Sequence, residues 1–178
     1  MAVKGFVIRG LLSVWLTRGP ENLLRELNAI HGVDLEIEDH GTLVTQFSHV
    51  NPMTIKARDW KDQGHKLALI GHSFGATSAI FINNNLANLR RSVDLLCPID
   101  PAAQYSTQVY DTNQRVVGFF QKTPGNLGQG VDVAGKGWTA QEWKDRVKQY
   151  QRYESHVAIV SDPWVHQRII EAVKVLAA

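Results

Sequence analysis

Short apolar runs alternate along the chain with segments whose apolar residues recur at helical spacing. Strand-like runs lie at residues 3–9, 33–38, 66–71, 93–99 and 115–121. Helical segments lie between them at 19–30, 52–63 and 76–91, and a last helix is predicted to start at Pro163 with Asp162 as its cap. This alternation predicts right-handed βαβ crossovers and therefore an α/β fold, a three-layer α/β/α sandwich with a mostly parallel sheet of about five strands.

Two further segments have a less regular pattern. Glycine is dense between residues 123 and 137, which predicts a long irregular loop. Residues 139–153 place Trp143, Val147 and Tyr150 at helical spacing, so we predict an amphipathic helix, either on the surface or overhanging a cleft as a small cap. No strand is predicted between that helix and His156.

The composition narrows the class of protein. With 44% hydrophobic and 20% charged residues and a net charge of +2, we expect a soluble globular protein that binds no nucleic acid. One cysteine, Cys97, excludes an intrachain disulfide and a thiolate zinc cluster. About 18 apolar residues in a row are needed to span a bilayer, and no such stretch is present. We therefore expect a cytoplasmic protein without stable membrane insertion.

The pentapeptide GHSFG, residues 71–75, follows the apolar run at 66–71 and precedes a helical segment. A Gly-x-Ser-x-Gly sequence between a strand and a helix is typical of the nucleophile elbow, in which a sharp turn exposes the serine hydroxyl above the sheet. The flanking glycines leave room for such a turn. Ser73 is therefore the candidate nucleophile.

A serine nucleophile needs a base, and seven histidines are available. His72 adjoins the serine and is expected to point elsewhere, while the other four that precede Ser73 fall in loops or at helix ends. In the chain order Ser, Asp, His, only His156 and His166 follow the serine. His156 is favoured because it lies in a predicted loop, whereas His166 lies one turn inside the last helix.

The third member of a triad is a carboxylate that orients the histidine. Asp100 directly follows the run at 93–99 and precedes Pro101, which stiffens the turn. Asp132, in the glycine-rich segment, is the alternative. Asp100 is favoured because parallel sheets place their functional groups at the carboxyl ends of strands.

These motifs resemble the α/β-hydrolase superfamily of serine esterases and lipases, in its smallest, lid-poor form, as in cutinases and small bacterial lipases. The resemblance rests on LALIGHSFGA at 67–76, IDPA at 99–102 and ESH at 154–156, and the order of elements extends it over nearly the whole chain. It implies a single α/β-hydrolase domain over residues 1–178, with Ser73 as nucleophile, His156 as base and Asp100 as acid.

The resemblance also implies an oxyanion hole made of two backbone N–H groups. One belongs to Phe74, the residue after the nucleophile, and the other to the loop after the first strand. Leu11 is the candidate there, with Leu12 and the Ser13 hydroxyl as alternatives. This chain has Arg9-Gly10 where the family often has His-Gly.

The expected function is cleavage of carboxylic esters through an acyl-enzyme, with a small-molecule ester or lipid as substrate. No cofactor and no metal are expected. The alternatives are a catalytically silent hydrolase fold that serves in binding or assembly, and a flavodoxin-like nucleotide binder with the same order of elements.

Overall fold

Six strands form one parallel sheet in the computed structural model, which describes residues 1–10, 17–39, 48–102, 107–111, 113–121 and 132–178. These strands are β1 (Val3–Arg9), β2 (Val33–Asp39), β3 (Lys66–His72), β4 (Leu95–Ile99), β6 (Arg115–Gln121) and β8 (Val147–Arg152). They lie in the order β2-β1-β3-β4-β6-β8, and every neighbouring pair is parallel. β5 (Gln108–Tyr110) and β7 (Ala134–Lys136) form a separate two-stranded sheet.

Helices cover both faces of the six-stranded sheet. They are α1 (Gly19–Asn28), α2 (Val50–Asp62), α3 (Phe74–Asn88), α4 (Ala140–Arg146) and α5 (Pro163–Ala177). Apolar residues of α1 and α5 pack on one face and those of α2 and α3 on the other. Strand β3 contributes to both layers, because Ala68 and Ile70 point to the first face and Leu67 and Leu69 to the second. The predicted three-layer α/β/α sandwich is confirmed, with six strands in the described sheet rather than about five.

The prediction of one helix over residues 139–153 is wrong after residue 146. Thr139 and Glu142 form a capping box that starts α4, but the chain then becomes strand β8 and pairs with β6. The ring of Tyr150 on β8 stacks on Phe119 of β6, with centroids 5.6 Å apart. A helix here would leave β6 as an unpaired edge strand beside the core, so pairing overrides the helical spacing.

The remaining boundaries differ from the predictions by a few residues. Helix α3 starts at Phe74, directly after Ser73, rather than at residue 76. Residues 123–131 of the glycine-rich segment lie outside the described part of the chain, and residues 134–136 are strand β7. The last helix starts at Pro163 as predicted, and the Asp162 side chain accepts a hydrogen bond from the Trp164 N–H.

The strand order brings four chain segments to one edge of the sheet. Gly10 follows β1, Ser73 follows β3, Asp100 follows β4, and His156 follows β8 by four residues. Since the strands are parallel, all four segments lie at the carboxyl edge, where α/β folds place their ligands. None of the described helices is long and apolar enough to cross a membrane.

The packing of β8 can be tested by substituting Tyr150, which lies between the rings of Phe119 and Trp164. We expect Tyr150→Ala to lower the free energy of unfolding by about 2 kcal/mol, less than for a fully buried aromatic residue. Tyr153 is 84% exposed, so Tyr153→Ala is the matched control and should change stability by less than about 0.5 kcal/mol. Urea unfolding measures both, and equal effects of the two substitutions would contradict this placement of Tyr150.

Candidate active site

Ser73 forms the turn between β3 and α3 in an uncommon backbone conformation, with φ 57° and ψ −123°. A positive φ costs free energy in a residue other than glycine, and such strain is found at functional sites. The Ser73 N–H donates to the Ile99 carbonyl at 2.9 Å, which ties the turn to the end of β4. Strand, sharp turn and helix therefore follow one another as the GHSFG pattern predicts.

This turn is packed against the end of β1 with no space for a side chain on Gly75. A Cβ atom built on Gly75 would lie 2.2 Å from the Ile8 carbonyl oxygen. Gly10 is packed against the serine itself, because a Cβ on Gly10 would lie 2.8 Å from the Ser73 Cβ. Both glycines are therefore required by the contact between the serine turn and the end of β1.

His156 lies in the loop between β8 and α5, and its imidazole reaches Ser73. The His156 Nε2 is 2.8 Å from the Ser73 Oγ. His166, the alternative base, is buried in α5, where its Nδ1 lies 3.1 Å from a Glu26 carboxylate oxygen and its Nε2 2.8 Å from the Val160 carbonyl. Of these two histidines, the geometry brings His156 to the serine.

Asp100 is buried at the end of β4 and contacts the same imidazole. Its Oδ2 is 2.5 Å from the His156 Nδ1, and its Oδ1 accepts the Gln121 N–H at 3.1 Å. The Asp100 N–H donates to the Phe119 carbonyl at 2.7 Å, which holds the backbone in a positive-φ conformation of 46°. Asp132 is exposed and is not part of this cluster.

The three side chains form a directed chain of hydrogen bonds. A carboxylate can only accept, so the Asp100 Oδ2 takes the Nδ1–H of His156. The Nε2 of the neutral ring then carries a lone pair and accepts the hydroxyl proton of Ser73. This arrangement can draw a proton from the serine as its oxygen attacks an electrophile.

Of the two predicted oxyanion donors, only Phe74 lies in the part of the chain that the structure describes. Phe74 is the first residue of α3, so its backbone N–H belongs to the positive end of the helix dipole, where negative charge is favoured. Leu11, Leu12 and Ser13 lie outside the described residues. Gly10, directly before Leu11, lies against the Ser73 side chain, since its Cβ would lie 3.4 Å from the Ser73 Oγ.

Two residues, His72 and Arg152, make contacts with the histidine loop that the sequence patterns did not predict. His72 is buried, and its Nε2 lies 2.7 Å from the His156 carbonyl oxygen. Arg152 donates to carboxylate oxygens of Glu154 and Asp162 at 2.7 and 2.6 Å, and so joins the two ends of the loop. The contact of His72 with His156 spans 84 positions, so no local sequence pattern could predict it, whereas the Arg152 contacts span two and ten positions.

Comparison with solved structures identifies the fold. A proposed hydrolase of the alpha/beta superfamily from Xanthomonas campestris superimposes with a TM-score of 0.64 at 13% identity, covering 97% of this chain and 96% of that one. Human thioesterase 2 gives a TM-score of 0.60 at 12% identity over 100% and 99% of the two chains. The esterase domain of a Rhodothermus marinus protein gives 0.57 at 12% identity over 98% and 85%.

No protein-family model matches the chain, and no curated protein is similar to it in sequence. The structural likeness establishes that the chain has the α/β-hydrolase fold, as the sequence resemblance implied. Within the part of the chain that the structure describes, no group of three or more His, Cys, Asp and Glu side chains is arranged to hold a metal ion.

The contact between the serine turn and β1 can be tested at Gly75. We expect Gly75→Ala to lower the free energy of unfolding by about 3 kcal/mol or more, because two backbone segments must separate. Gly118 of β6 is the control, since its Cβ would find its nearest neighbour at 3.5 Å, and Gly118→Ala should cost less than about 1 kcal/mol. A Gly75→Ala protein as stable as the wild type in urea would contradict the described turn.

Proposed function

We propose that this protein is a serine hydrolase that cleaves carboxylic esters through an acyl-enzyme. The observation that carries the proposal is the chain of hydrogen bonds from the buried Asp100 through His156 to Ser73, at 2.5 and 2.8 Å, at the carboxyl edge of the sheet. A serine hydroxyl is a weak nucleophile until a base removes its proton, and this chain supplies the base and its orienting carboxylate. The α/β-hydrolase fold supports the same assignment.

In the proposed reaction, the Ser73 Oγ attacks the ester carbonyl carbon while the His156 Nε2 takes its proton. The resulting imidazolium is stabilised by Asp100 and then gives the proton to the departing alkoxide, so that an alcohol leaves and the acyl group remains on Ser73. A water molecule, deprotonated by His156, attacks the acyl-enzyme. The tetrahedral intermediate that forms then collapses, which releases the acid, and His156 returns the proton to the Ser73 Oγ.

Negative charge develops on the carbonyl oxygen in both steps, and backbone N–H groups are proposed to stabilise it. One donor is Phe74, at the N-terminal end of α3. The second is Leu11, and the support for it is the position of Gly10, the residue before it, against Ser73. These donors do not depend on side-chain chemistry, which agrees with the absence of a His-Gly pair after β1.

The proposed substrate is a small-molecule ester or lipid, and a thioester is a second candidate because human thioesterase 2 has the same fold. The catalytic steps are the same for both bonds, since only the leaving atom changes from oxygen to sulfur. No cofactor takes part in the proposed reaction. A hydrolase fold that serves only in binding would lack turnover altogether.

Activity is tested first with chromogenic esters of increasing acyl length and with matched thioesters of the same acids. We expect turnover of at least one series by the wild type and none above background by Ser73→Ala, because the covalent step is lost. Circular dichroism and thermal melting check that the variant is folded. Equal turnover by a folded Ser73→Ala protein would contradict the proposal, and inactivity of the wild type on every substrate would favour a binding protein.

The two candidate carboxylates are compared as Asp100→Asn and Asp132→Asn. An amide at position 100 can hold the wrong tautomer of His156, a change that lowers turnover by about 10⁴-fold in a protease triad. Asp132 is exposed, so the same substitution there should leave kcat within about two-fold of wild type. If Asp132→Asn is the inactive variant and Asp100→Asn keeps its rate, the assignment of Asp100 is wrong.

A further inference from the structure

His72 lies beside the candidate nucleophile but takes no part in the reaction described above. It is the last residue of β3 and only 4% exposed, so its ring is enclosed by the fold rather than directed at a substrate. Its ring centroid is 4.8 Å from that of His156, with the two planes tilted by 32°. The ring is thus packed against the proposed base.

The polar contact of His72 is made to the backbone of the residue that carries the base. Its Nε2 lies 2.7 Å from the His156 carbonyl oxygen, and a carbonyl can only accept, so Nε2 carries the proton and donates. The Nδ1 is buried without a hydrogen-bond partner among the described residues. By contrast, both ring nitrogens of the buried His166 have partners, at Glu26 and Val160.

The charge state of His72 agrees with this donor arrangement. Burial, and next the neighbouring imidazole of His156, lower the pKa of His72 to about 3. The ring is therefore neutral at neutral pH and has a single N–H group. That single N–H group donates to the His156 carbonyl oxygen.

We propose that His72 is a positioning residue that holds the backbone of His156, so that the base stays in line with Ser73 and Asp100. The inference rests on the function proposed above. His156 lies in a loop outside the sheet, and its side-chain contacts alone fix only the ring. Once Ser73 is acylated, its oxygen has no proton to donate to the His156 Nε2, and the remaining contacts of His156 must keep the ring in place for the attack of water.

The expected fall in kcat without the His72 hydrogen bond follows from how far His156 could shift. A misplacement of reacting groups by about 1 Å can lower a rate by about 100-fold. Loss of the His72 hydrogen bond removes one restraint on the backbone of His156 while Asp100 still holds the ring, so we expect a fall in kcat of about 10- to 100-fold. KM should stay within about two-fold of wild type, because His72 is buried and does not line a substrate surface.

The test compares His72→Met with His72→Gln on an ester that the wild type hydrolyses. The two side chains are similar in length, but only glutamine has an N–H donor that can replace the His72 Nε2–H. We expect the Met variant to show the loss in kcat and the Gln variant to recover to within about five-fold of wild type. His65 lies just before the opposite end of β3, and His65→Met is the matched control with unchanged kcat.

The kinetic results distinguish failure of the positioning role from failure of the proposed function. A folded His72→Met protein with wild-type kcat, or Met and Gln variants with equal losses, would overturn the positioning role while leaving the proposed function intact. Absence of turnover by the wild type itself would instead overturn the proposed function.

A second measurement needs neither activity nor a substitution. Nitrogen-15 NMR of the wild-type imidazoles reports the tautomer of His72, and we expect a proton on Nε2 that exchanges slowly with solvent. A proton on Nδ1 would overturn the inference, even if the His72→Met protein failed to fold.

Discussion

The proposed active site depends on the close contact between the serine turn and the backbone of β1. Gly75 meets the Ile8 carbonyl with no space for a Cβ atom, and Gly10 meets the side chain of Ser73 in the same way. On its other side the turn is hydrogen-bonded to Ile99, the last residue of β4. Ser73 is thereby held between two strand ends in a strained backbone conformation, at the place where Asp100 emerges from the sheet.

His156 is held differently, because it lies in a loop rather than at a strand end. Strand β8 delivers this loop to the carboxyl edge, and Arg152 joins its two ends through Glu154 and Asp162. The Arg152 guanidinium also lies over the ring of Trp164, 4.5 Å from its centroid. Several separate contacts thus restrict a loop that would otherwise be free to move away from the serine.

Local patterns predicted the parts of the fold whose cause is local. The buried run of β3 and the glycines beside Ser73 are encoded within a few residues, and Asp162 caps the last helix as its position indicated. Strand β8 could not be predicted, since Tyr150 fits helical spacing and only the unpaired edge of β6 favours a strand. The contact of His72 with residue 156 spans 84 positions and has no sequence signature.

We propose that Ser73 is a nucleophile activated by His156 and Asp100. The most direct test of this proposal is incubation of the wild-type protein with a fluorophosphonate, followed by digestion and mass spectrometry of the peptides. We expect one covalent adduct, on the peptide that contains Ser73, and its loss in a folded His156→Gln protein, because the hydroxyl then has no base. An unlabelled Ser73 in the wild type, or labelling unaffected by removal of His156, would contradict it.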